Sequence, residues 1–264
     1  MSIFLFKENA MIKEFVKDKL TCKIYGTRAE MGSAAAGEIR AKILEMLEGR
    51  EYINMIFAAA PSQNEVLASL IAYDDIPWGR INAFHMDEYI GLPVTAPQRF
   101  GNFLKRAIFD QVPFRSVNLI DCSATDIDVE CARYSKLLAD FPVDIVCLGI
   151  GENGHIAFND PGVADFNDTA LVKKAELDLV CRQQQVNDGC FASLDEVPKY
   201  ALTLTVPALT NGKYMFCVVP AATKANAVKA TIEGEITDMC PASILRTHDG
   251  ATLYCDADSG AYVI

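Results

Sequence analysis

The chain has 264 residues, 51% hydrophobic and 22% charged, which excludes a disordered, collagenous or low-complexity polymer. Lys and Arg number 24 against 35 Asp and Glu, a net charge of −11. That balance repels nucleic-acid phosphates, yet a small anion needs only a few local donors. A length near 250 residues suits one alternating α/β unit, so residues 1–264 are expected to form a single domain.

The chain opens MSIFLFKENAMIKEF, where Lys7 and Glu8 break the apolar stretch before a secretory core forms. No charge-free apolar run reaches about 18 residues, so no membrane span is expected and the predicted location is cytoplasmic. The nine cysteines include no Cys-x-x-Cys pair. Cys147, Cys217 and Cys255 sit in apolar runs, so they read as free buried thiols in a reducing compartment. The spacing of His85, His155 and His248 matches no metal template, and no metal or cofactor is expected.

Beyond the N-terminus the hydrophobic period alternates. The spacing predicts a helix over 28–49, with Ile39, Ile43, Leu44 and Leu47 on one stripe and Gly49 at its end. An apolar strand over 54–61 runs into a helix over 64–72 that turns Val66, Leu67, Leu70 and Ile71 inward. A strand over 81–89 ends in charges, and a helix over 98–110 follows. VNLID (117–121) is a short strand, and 125–138 a helix with Asp126 and Asp128 at its positive end. The clearest strand is 143–151, apolar throughout as the covered centre of a parallel sheet requires. Strands at 201–206, 214–219 and 251–255 complete the set, with 221–232 helical between the last two. Strand, loop and helix in repetition predict an α/β fold, a mostly parallel sheet with helices on both faces. Ligands bind such sheets at the carboxyl ends of the strands.

Three strand ends carry unusual chemistry. After the central strand comes GIGENGHIAFNDPG (149–162). Gly149-x-Gly151-x-x-Gly154 matches a dinucleotide fingerprint formally, but no helix opens at the third glycine and Pro161 follows closely, so that reading is set aside. Gly151 and Gly154 are instead expected to bring backbone N–H groups against a ligand. His155, with Asn153 and Asp160 nearby, is a candidate acid–base group, because imidazole titrates nearest neutrality. The second place is FHMDEYIGLP (84–93). Asp87 and Glu88 are adjacent, so one faces the cleft and the other away, unless Gly91 and Pro93 merely close a solvated turn. At the third, Ser62, Gln63 and Asn64 begin a helix, either as an anion site or as simple caps.

Together these segments resemble the glucosamine-6-phosphate deaminase (isomerase) family. The resemblance rests on MDEYIGLP (86–93), GIGENGHIAFNDP (149–161), VPKYALT (197–203) and Lys224 in AATKANAV, in that order, over about residues 20–257. It implies a Rossmann-like fold and a reaction without metal or redox cofactor. An amino-sugar 6-phosphate, most readily glucosamine 6-phosphate, becomes fructose 6-phosphate and ammonia. By the same resemblance Asp87 moves the C2 proton to C1. His155 opens the sugar ring, assisted by Asp160 at the family's glutamate position and by Asn153. Ser62, Gln63 and Lys224 are the implied phosphate contacts.

Some positions depart from the family pattern. Its PTGGTP-type phosphate loop is Ala60-Pro61-Ser62-Gln63-Asn64 here, and Gly189 or Cys190 stands where a phosphate-gripping arginine is usual. Arg182 or Arg99 is the candidate substitute. Val163, Ala164, Ala170 and Val172 replace an allosteric serine and basic cluster, so no activation by an N-acetylated sugar phosphate is expected. Two alternatives keep the frame: a sugar-phosphate sensor without catalysis, and a 6-phosphogluconolactonase-type hydrolase. The latter branch typically carries GHT, a serine and Leu-Phe where this chain reads GHIAFN. Relatives range from monomers to hexamers, which leaves a homo-oligomer open. The implied partner is a small amino-sugar phosphate, with no nucleic acid and no membrane.

Overall fold

Central strands of a covered sheet need apolar side chains on both faces, and the runs INMIF and IVCL supply them. The computed structural model describes residues 11–124 and 126–264. In chain order the strands are β1 (Met11–Lys17), β2 (Leu20–Tyr25), β3 (Ile53–Phe57), β4 (Ile81–His85), β5 (Asp87–Tyr89), β6 (Ser116–Asn118), β7 (Ile145–Leu148), β8 (Val172–Glu176), β9 (Tyr200–Leu204), β10 (Tyr214–Val219) and β11 (Ala251–Asp256). The helices are α1 (Arg28–Glu48), α2 (Asn64–Ile71), α3 (Phe100–Leu104), α4 (Ile127–Asp140), α5 (Leu179–Asn187), α6 (Val206–Thr210) and α7 (Ala225–Glu233).

Eight strands form the main sheet in the order β1-β2-β11-β10-β7-β3-β4-β6. All its pairings are parallel except β1 with β2. Alternate residues feed two cores. In β10, Met215, Cys217 and Val219 join Tyr134 and Leu138 of α4 and Val228 and Ile232 of α7. Phe216 and Val218 join Ile39 and Ile43 of α1 and Val66 and Leu70 of α2. Each fully buried aliphatic side chain contributes about 1.5–3 kcal/mol relative to exposure.

From β3 the chain winds outward through β4 and β6, then returns to β7 and winds the other way through β10 and β11. The loops after β3 and β7 therefore diverge from neighbouring strands and leave a crevice between them. A small antiparallel sheet, β5-β9-β8, stands over that crevice.

Several elements differ from the sequence reading. The single strand expected over 81–89 breaks at Met86: β4 stays in the main sheet, while β5 pairs with β9. The 98–110 helix is α3 followed by a π-helical turn over Lys105–Phe109. The helix expected from 125 runs over 127–140, capped by Asp126, whose side chain accepts from the N–H groups of Asp128 and Val129; Thr125 lies outside the described residues. β1, β2, β8, α5 and α6 are additions. All nine cysteines are free thiols. No helix among the described residues is long and apolar enough to cross a membrane.

Candidate active site

A cavity of about 440 Å³ fills the crevice. Its floor is the loops after β3, β7 and β10, and α5 forms one wall.

Asp87 and Glu88 separate as adjacent strand residues must. Asp87 borders the cavity and is 7% exposed. Burial and then the neighbouring Glu88 charge hold its carboxyl well above the usual carboxylate range. Glu88 points away. Its Oε1 accepts from the N–H groups of Tyr89 and Phe100, and its Oε2 from Gly101, each at 3.0 Å. Arg99 Nε lies 3.6 Å from the same carboxylate. Burial raises the Glu88 pKa, while those N–H groups and Arg99 work against the rise. Glu88 therefore anchors α3 and does not face the cavity.

His155 projects from the loop after β7 into the cavity. Its Nδ1 is 2.9 Å from Asp160 Oδ1. The oxygen sits off the line of the ring N–H, so the contact is close without being a well-aligned hydrogen bond. Asn153 does not border the cavity; it braces the pair. Its Nδ2 donates to Asp160 Oδ1 and to Asp178 Oδ2, both at 3.0 Å, and its Oδ1 accepts from the His155 N–H. The Asp178 N–H reaches Asp160 Oδ2 at 3.4 Å. Burial pushes the Asp160 carboxyl up, but the imidazole, the Asn153 amide and the Asp178 N–H outweigh it, and its pKa falls below the ordinary value. Asn159 pins the loop by donating to Ile156 O and Leu204 O.

Gly151 borders the cavity, but its N–H donates to His155 O at 2.9 Å, and the Gly154 N–H donates to Gly151 O at 3.0 Å. A Cβ on Gly151 would overlap three atoms of the His155 ring, so the ring packs directly on this glycine. Gly154 does not border the cavity. Its φ of +88° makes a left-handed turn, and a Cβ there would meet Cys240 Sγ at 3.1 Å. No helix opens after it.

The anion end is also corrected. Ser62 borders the cavity, and its hydroxyl oxygen accepts from Gln63 Nε2 at 3.2 Å, leaving its own proton to donate. Gln63 is fully buried away from the cavity, its Nε2 donating to Leu148 O and Val218 O across the ends of β7 and β10. Lys224 borders the cavity at 6% exposure. Burial lowers its pKa, while the fields of Asp188 and Glu152 act in the opposite direction. Neither suggested arginine substitute reaches the cavity. Arg182 Nη2 donates to Leu194 O and Val197 O, and Arg99 is held by Glu88. Arg28 and Arg106 border the cavity instead. Arg28 opens α1, directly after β2, so a reading that missed β2 missed its strand-end position. Gly189, Cys190 and Asp188 line the wall near the usual arginine position.

The other histidines are structural. His85 Nε2 accepts from the Ile120 N–H at 2.8 Å, and burial pushes its pKa down to about 3. His248 Nε2 lies 2.7 Å from Gly212 O. Metal-ligating types do meet at one place among the described residues: ligand atoms of His155, Asp160 and Cys181 all lie within 4.8 Å of one another.

The family model described as glucosamine-6-phosphate isomerases/6-phosphogluconolactonase matches residues 26–254. A glucosamine-6-phosphate deaminase of Lactobacillus delbrueckii subsp. bulgaricus is 33% identical over 230 residues, 86% of this chain and 93% of that protein. One from Streptococcus suis is 34% identical over 195 residues, 74% of this chain and 81% of that protein. The solved structure of a monomeric glucosamine-6-phosphate deaminase superposes with a TM-score of 0.83 at 27% identity, covering 91% of this chain and 98% of that one. A 6-phosphogluconolactonase from Thermotoga maritima shares the fold, with a TM-score of 0.72 at 21% identity over 90% of this chain and 99% of that one.

Proposed function

The chain belongs to the glucosamine-6-phosphate isomerase/6-phosphogluconolactonase family, and on that premise we propose that it is an amino-sugar-phosphate deaminase acting first on glucosamine 6-phosphate. The observation that carries this reading is a buried, high-pKa carboxyl, Asp87, bordering the same cavity as His155, which has Asp160 behind it.

The chemistry follows from those groups. His155 passes a proton to the ring oxygen and opens the sugar to its aldehyde, and Asp160 steadies the imidazole charge. Asp87 as carboxylate takes the C2 proton and, shielded from water, returns it to C1. The product is an imine at C2. Addition of one water releases ammonia and leaves the ketose phosphate. A base whose pKa is raised toward the working pH both accepts and returns the proton efficiently, and each such group is worth about 10²–10⁴ in rate. Ser62 and Lys224 border the cavity and would meet the phosphate; Arg28 borders it too, with its Nε paired to Glu65 at 2.7 Å. The free thiols suit a reducing cytoplasm, and the acidic surface suits a small-molecule enzyme rather than a nucleic-acid binder.

The test is ammonia and ketose phosphate formation from glucosamine 6-phosphate, with galactosamine 6-phosphate and 6-phosphogluconolactone in parallel. Turnover of an amino sugar phosphate is expected, with Asp87→Asn reducing kcat at least about 10²-fold. Full turnover by Asp87→Asn overturns the mechanism. Tight binding without turnover replaces it with the sensor reading.

A further inference from the structure

Cys181 has no part in that chemistry, yet it lies against the pair that performs it. It sits in the first turn of α5 and is fully buried. Its sulfur, an imidazole nitrogen of His155 and a carboxylate oxygen of Asp160 share a sphere with no pair more than 4.8 Å apart. Imidazole, carboxylate and thiolate together form a borderline-soft donor set suited to zinc and its relatives. Tetrahedral zinc holds such atoms at about 2.0–2.3 Å, hence about 3.3–3.6 Å from each other, so small side-chain shifts close the shell.

We propose that His155, Asp160 and Cys181 form a binding site for a thiophilic divalent cation, and that the cation inhibits the enzyme by occupying the His155–Asp160 pair. Three observations support this beyond donor type. His155 Nδ1 has no in-line hydrogen bond to give up, although Asp160 is 2.9 Å away. The ligands are braced from behind, as in built metal sites. Asn153 and the Asp178 N–H hold Asp160, and Asp178 Oδ1 accepts from the Cys181 N–H at 2.6 Å. The charge also balances: one carboxylate and one thiolate neutralise a divalent ion, so no net charge is buried.

The proton count is definite. With neutral imidazole, the ring proton moves from Nδ1 to Nε2 and Cys181 releases one proton to solvent as its sulfur binds. With imidazolium, two protons are released. A metallated ring keeps Nε2 protonated and no longer cycles a proton at the sugar oxygen. The fourth coordination position is left to water.

The inhibition arm rests on the proposed activity, whereas the binding arm does not. Chelator-stripped protein is titrated with Co²⁺ and the thiolate-to-cobalt charge-transfer absorption recorded. Wild type is expected to show a band that saturates at one equivalent and is displaced by Zn²⁺; Cys181→Ala lacks it. Cys181→Ser serves as the second variant if the first does not fold. In turnover assays Zn²⁺ inhibits wild type reversibly, and Cys181→Ala, with unchanged basal kcat, needs at least about tenfold more Zn²⁺. Identical cobalt spectra in wild type and both variants, or equal Zn²⁺ sensitivity, overturns the proposal. If no sugar phosphate is turned over, the cobalt spectrum alone still decides the metal site. If turnover is normal without the band, the metal site falls and the activity stands.

Discussion

Replacing Gly151 by alanine separates folding from catalysis at this site. The backbone there is ordinary, because the left-handed glycines are at positions 91, 154, 162 and 189. Alanine therefore adds no torsional strain. Its methyl group, however, occupies the space of Cε1, Nδ1 and Nε2 of His155. Those atoms are the far end of a side chain that faces a cavity, so the clash is relieved by swinging the ring outward. The stability cost is then less than about 1 kcal/mol, or a Tm change under about 4 °C for a chain of this size. Swinging the ring removes it from Asp160 and from the sugar oxygen, which costs about 10²–10⁴ in kcat. Steady-state kinetics on glucosamine 6-phosphate and a thermal melt measure both. Gly154→Ala is the counter-experiment. Its φ of +88° and its approach to Cys240 cost about 1–2 kcal/mol of stability, with His155 in place and kcat retained. Wild-type kcat in Gly151→Ala would refute the placement of the ring. So would a large Tm loss with normal turnover per folded molecule.

Asp87 gives a prediction in pH. Because burial raises its folded pKa, kcat/KM falls as pH drops through that raised value, at a higher pH than an ordinary carboxyl near about 3.9. The same shift means that the folded state favours the protonated group, so its contribution to stability is full in acid and lost as pH rises through the raised pKa. Asp87→Asn is thus expected to raise Tm at neutral pH while it abolishes turnover; a lower Tm there contradicts the assignment. Glu88→Gln leaves the buried Arg99 without its counter-charge and is expected to cost about 3–5 kcal/mol, seen in denaturant unfolding. Gln63→Ala removes the amide that joins β7 to β10 and lowers Tm through about 1–3 kcal/mol. Lys224→Met raises KM for the sugar phosphate at least about tenfold without lowering Tm; a Tm loss and unchanged KM would make Lys224 structural.

Much of the site was legible because its residue types are costly anywhere but at a ligand edge. A histidine and acids in a glycine loop after an apolar strand have few structural reasons to be there; His155 and Asp87 border one cavity, and Asp160 lies buried behind His155 at 2.9 Å. What was illegible depended on partners distant in sequence. Gln63 reads equally as a ligand donor or a strap, and only the carbonyls of Leu148 and Val218, 85 and 155 residues away, decide it. α5 escaped because it buries Cys181, Arg182, Gln184 and Gln185, so no apolar stripe marks a helix whose inner face lines a polar cavity. β1 escaped because Met11, Ile12 and Val16 face solvent on a sheet edge, and its lysines and glutamate blur the period. The strand over 81–89 was placed correctly and divided wrongly, since nothing local marks Met86 as the change of sheet.

Asp178 has a consequence for how this pocket diversifies. One of its oxygens caps α5 and the other receives the Asn153 amide that also holds Asp160. The cavity wall and the loop that carries His155 thus turn on a single residue. Substitutions of Asp178 itself are expected to alter selectivity and acid–base chemistry together, and so to be purged. Mutations near the end of α5, at Gln185 or Asp188, reach the cavity without disturbing that joint. New substrate preferences in this lineage should therefore accumulate at the distal end of one helix, while the chemistry passes unchanged from one specificity to the next.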